Sequence, residues 1–137
     1  MNKMSRGSAE LLQTKSNYGT APVAAPTTGA KEIVGKVRGG SLIETAEDCY
    51  VILKADAAAT LGASGSVWLM RYSQEHSLWL KCARLGGGNP IVLSATLGHD
   101  EPIRSVLSDT QGFDLYDEGG GALGANVTLS MGRFLRN

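Results

Sequence analysis

Nowhere in the 137 residues do about eighteen apolar side chains follow one another, so no stretch reads as a bilayer-spanning helix. Met1-Asn2-Lys3-Met4-Ser5-Arg6 leads into no apolar run of signal-peptide length, which sets the expectation of a chain made and kept in a cytoplasm-like compartment. Net charge is missing too. Thirteen basic and thirteen acidic groups cancel, which removes the simplest electrostatic case for a nucleic-acid or anionic-membrane partner. Cysteine and histidine are scarce, at two each. Cys49 and Cys82 sit within strand-like apolar stretches and read as buried free thiols. With His76 and His99 they make four scattered ligands and no close pair of the kind a structural zinc site needs, so neither metal nor cofactor is expected.

The motifs of catalysis are likewise wanting. Gly62-Ala63-Ser64-Gly65-Ser66 is one position out of the G-x-S-x-G elbow, and His99-Asp100 is the only sequence hint of a base with an orienting acid. Gly86-Gly87-Gly88-Asn89 is followed by no Lys-Ser/Thr and precedes a strand pattern, so it reads as a turn and not as a phosphate cradle. The acids Asp100-Glu101, Asp114 and Asp117-Glu118 lack calcium-loop spacing and read as solvated loop residues. The expectation is a protein that binds and is not an enzyme.

What is abundant is glycine, eighteen residues of it, in a chain with few long charged helix formers. That mixture favours short strands joined by tight turns. Residues 1–31 differ from the rest, being rich in Ser, Thr, Ala, Gly and Pro with Leu11-Leu12 as their one apolar cluster. Ser8 is placed to cap a short helix over Ala9–Gln13, and Pro22 and Pro26 keep Thr20–Gly29 extended. Lys3, Arg6, Lys15 and Lys31 against Glu10 give this arm a surplus of three positive charges, matched by three negative ones on the remainder. A weakly basic arm on a weakly acidic body is suited to docking on an acidic neighbour, including another copy of the chain. A stretch of this composition buries too little surface to order itself, so if it is ordered another subunit is expected to hold it.

From residue 32 onward the pattern has period two. Strands are expected at Glu32–Val37, Ser41–Thr45, Cys49–Lys54, Pro90–Thr96, Ile103–Leu107 and Asn126–Leu135, with one helical turn over Asp56–Leu61 ended by Gly62. The clearest unit is a hairpin of Ser66–Tyr72 and Ser77–Arg84 across the polar turn Ser73–His76. In its second strand Leu78, Leu80 and Cys82 share the face assigned to the core, whereas Trp79 and Lys81 face solvent or a partner. About eight short antiparallel strands with glycine-rich turns predict an all-β domain over 32–137, a small jelly-roll-like sandwich or barrel, preceded by an extended arm over 1–31. Trp68, Tyr72 and Trp79 suit a protein interface, or in an OB-like barrel a platform for single-stranded nucleic acid, which the acidic body disfavours.

An Ala/Pro/Thr-rich arm leading into a compact β body resembles, in organisation, the capsid decoration or cement proteins of tailed phages. That resemblance implies a virion structural protein made in the host cytoplasm, a homo-oligomer and commonly a trimer, whose partners are the major capsid protein or other virion subunits. A coat, tail or connector subunit is the neighbouring alternative. The expected partner-binding residues are Leu11, Leu12, Tyr18, Pro22, Val23 and Pro26 on the arm and Trp68, Tyr72 and Trp79 on the body.

Overall fold

The computed structural model describes residues 4–26 and 46–136. The strands expected at Glu32–Val37 and Ser41–Thr45 lie outside them.

Ten strands form among the described residues: β1 (Met4–Arg6), β2 (Glu10–Lys15), β3 (Glu47–Ala55), β4 (Ala59–Leu61), β5 (Val67–Ser73), β6 (Leu78–Leu85), β7 (Ile91–Leu93), β8 (His99–Val106), β9 (Thr110–Asp117) and β10 (Val127–Arg136). They make an all-β sandwich, as the glycine-rich, period-two sequence leads one to expect. One sheet runs β1-β10-β3-β8 with β2 also on β10, and the other runs β6-β5-β9. The short β4-β7 ladder adds Ala59, Leu61, Ile91 and Leu93 to the core between them.

Alternation places the core. Cys49, Val51 and Leu53 of β3 pair with Arg133, Met131 and Leu129 of β10, and their side chains point inward. Val67 and Leu69 of β5 meet them from the opposite sheet. On the outward face of the first sheet Gly132 lies opposite Tyr50, and a Cβ there would come within 2.5 Å of the tyrosine ring. Only glycine admits that ring, which stacks edge-on against Phe134 at 5.4 Å. Gly86, Gly87 and Gly88 all have positive φ, a conformation that side chains oppose, and they turn the chain from β6 towards β7.

Four sequence expectations are corrected. Ala9–Gln13 is not a helix: Glu10–Lys15 is extended and pairs with the edge of β10, whose unmet backbone groups outweigh one serine cap. Asp56–Leu61 is not a helical turn, because Ala59 and Leu61 are buried on alternate positions of β4 against β7. The acids at 100 and 101 are not in a loop but in β8, an edge strand, the position in a sheet that tolerates a proline such as Pro102. In β6 a bulge opposite Leu69/Met70 shifts the register, so that Ala83 and Leu85 join Cys82 against the core, whereas Leu78 at the start of the strand is 46% exposed.

Candidate binding face

The N-terminal segment is part of the sandwich. β1 and β2 both lie against one edge of β10, and Gly7 N–H donates to Arg133 O at 2.9 Å between them, so the chain follows β10 from residue 4 to residue 15. Arg6 meets Asp100 at 2.6 Å and stands over the Tyr50 ring at 4.6 Å, with the Tyr50 hydroxyl donating to Gly7 O. The Arg6 guanidinium holds the Asp100 carboxyl below its ordinary range, chiefly through that hydrogen bond. Lys15 reaches Asp114 at 3.4 Å, and Gln13 donates to the same carboxylate.

Tyr18 fastens the segment to both sheets. It is 2% exposed, its hydroxyl donates to Val127 O at 2.9 Å, and its carbonyl accepts from Asp117 N–H at 2.8 Å. Burial first, then the nearby Asp114 charge, pushes its phenol above the usual range. The expectation that ordering such a segment requires another subunit is therefore corrected. Its own domain supplies a strand edge, a buried site for one aromatic ring and two counter-charges.

Past Tyr18 the chain crosses to the second sheet as an Ala/Pro strap. Residues 20–26 face Leu12, Trp79, Phe113 and Asp114 across a groove of about 470 Å³. The Trp79 indole N–H donates to Ala24 O at 2.6 Å, and the Trp79 ring is braced edge-on by Tyr72 at 5.5 Å. Pro22 and Pro26 are half-buried, and Val23 is 91% exposed.

The outward face of β6-β5-β9 follows from register, since directly opposed residues of antiparallel strands share a face. Its rows are Arg84, Trp68 and Tyr116, then Lys81, Met70 and Asp114, then Trp79, Tyr72 and Gly112. All three aromatic candidates thus lie on one surface, and Tyr116 joins them. Tyr116 was missed because β9, Thr110–Asp117, carries two acids that read as loop residues. Both are buried and partnered: Asp114 by Gln13 and Lys15, and Asp117 by Gly62 N–H at 2.9 Å.

The cations of this face are already engaged. Lys81 sits 4.4 Å over the Trp68 ring and 2.7 Å from Glu118, which also accepts from the Trp68 indole at 2.8 Å. That contact with Lys81 holds the Glu118 carboxyl below its ordinary range. Arg84 donates to Ser66 at 2.9 Å. A polyanion binding this face would compete with these contacts. Of the arm candidates, Leu11 is 58% exposed on the opposite sheet, Leu12 packs against the core, and Tyr18 is buried in it.

No protein-family model matches the chain, and no curated protein sequence matches it. Among solved structures, the N-terminal cellulose-binding domain of Cellulomonas fimi β-1,4-glucanase C is similar at a TM-score of 0.32 and 12% identity, over 72% of this chain and 64% of that one. At that distance the likeness carries no argument about function.

Proposed function

We propose that the protein is a structural subunit of a virion, a decoration protein that attaches to the capsid shell through its Ala/Pro strap and the aromatic face of β6-β5-β9. The strap is the observation that supports the reading most. Its small side chains and proline-fixed backbone lose little entropy on docking, and its outer side, led by Val23, is open to a second surface. Beside it the Tyr72-Trp79 pair and Trp68 offer half-exposed aromatic area on a rigid sheet. Such groups supply large contact area with few rotatable bonds, as interfaces favour. Binding at many equivalent positions on a shell multiplies a modest contact into firm attachment.

Quantitative mass spectrometry of gradient-purified virus particles from the cells that make this chain tests the reading. The chain should be present at a fixed ratio to the major capsid protein, and Val23→Asp with Trp79→Ala should lower occupancy at least about tenfold, the loss of one interface anchor. A chain absent from the particles, or full occupancy by a folded double variant, would contradict it.

A further inference from the structure

We infer that residues 4–26 are an exchangeable arm, which a second copy of this chain can supply to the same edge, buried site and groove. Among the described residues, the contacts that seat the segment on β10, Tyr18's site and Trp79 run between it and the body, so they can be remade between two molecules without altering a side chain. The acceptor surface is specific along its length. The β10 edge takes β1 and β2, the space beside Val127 O and Asp117 N–H takes Tyr18, and Trp79 takes Ala24 O. Charge matches in the same register, with Arg6 on Asp100 and Lys15 on Asp114. The occupant is therefore defined by this sequence itself.

Covalent reach permits the exchange. Residues 27–45 join the arm to β3, and nineteen residues extend up to about 60 Å, well beyond the width of one such sandwich. In the closed monomer the arm and its site belong to one chain, so seating at its own body is favoured over exchange at low concentration. Dilute protein consequently stays closed. Copies crowded on a lattice, or folded together at about 1 mM, link arm to body in pairs or rings. Tyr18 sets the rate, because a buried ring must leave the core before an arm can move. Once formed, exchanged pairs should separate slowly on dilution.

The inference concerns purified chain alone, so its outcome is separate from that of capsid attachment. Two full-length populations, one at natural isotope abundance and one labelled with nitrogen-15, each carry a specific protease site inserted between residues 30 and 31. They are mixed in urea, refolded together at about 1 mM and examined by native mass spectrometry. Dimers should form, about half of them of mixed isotope as random pairing requires. Cutting the inserted site should then release light bodies carrying heavy arms, above the background from monomers cut first and mixed afterwards. Monomers alone, or cut dimers whose bodies hold only arms of their own isotope or none, would overturn the inference.

Discussion

Tyr18 shows how one side chain can decide whether a polar segment is a tail or part of a fold. Leu11-Leu12 stood out in the sequence as the one apolar cluster of the arm, yet Leu11 is exposed, Leu12 only flanks the core, and the tyrosine is what is fully buried. Its position in the composition gave no clue, because a lone aromatic between Asn17 and Gly19 fits a surface loop equally well. Tyr18→Phe keeps the ring and removes the bond to Val127 O, and should lower stability by about 1 kcal/mol. Tyr18→Ala empties the site and should lower it by about 3–5 kcal/mol. Urea unfolding at neutral pH checks both. A loss below about 0.5 kcal/mol for the alanine variant would mean the arm adds nothing to the core. Asp114 and Asp117 teach the converse. Acids that looked solvated are buried because donors from other elements meet them, and no local pattern announces partners that lie 101 and 55 residues away.

Among the elements, the hairpin of β5 and β6 was legible because two β-rich runs around a polar turn are a local signal. Its outward face was legible for the same reason. The bulge that moves Ala83 to the core was not, since register is settled by the sheet opposite. Strand β9 escaped notice because its acids Asp114 and Asp117 read as loop residues, and β2 because an exposed, polar strand is defined only by the edge it covers. The turn before β9 carries a second lesson. Asp109 accepts from the Ser73 hydroxyl and pairs with Arg71 at 2.7 Å, tying that turn to the end of β5. The Ser73 hydrogen bond first, then the Arg71 charge, holds its carboxyl below the usual range. A depressed carboxyl stabilises the fold above its unfolded pKa of about 4, and that contribution fades as pH falls through the folded value. Unfolding midpoints measured between pH 7 and pH 3 should therefore fall less in Asp109→Asn than in the natural chain. Equal falls would show that the carboxylate is not linked to folding.

For the molecule as a whole, composition and periodicity gave the all-β class, and the order of strands came from elsewhere. Strand β10 is the spine: β3 covers one of its edges and the N-terminal segment covers the other, so the first and last strands of the described chain are neighbours. Covering that edge removes a ready template for uncontrolled strand pairing. It also leaves the Ala/Pro strap lying against Trp79, where the proposed attachment and the proposed exchange both begin. Both ideas depend on a segment that is seated on its own body, and the exchange requires in addition that it can leave. Hydrogen exchange of the dilute monomer, followed by mass spectrometry, measures that seating directly. The account predicts that amides of residues 10–15 are protected alongside those of β10 while residues 20–26 exchange early; an N-terminal segment exchanging throughout at the rate of an unstructured peptide would contradict it.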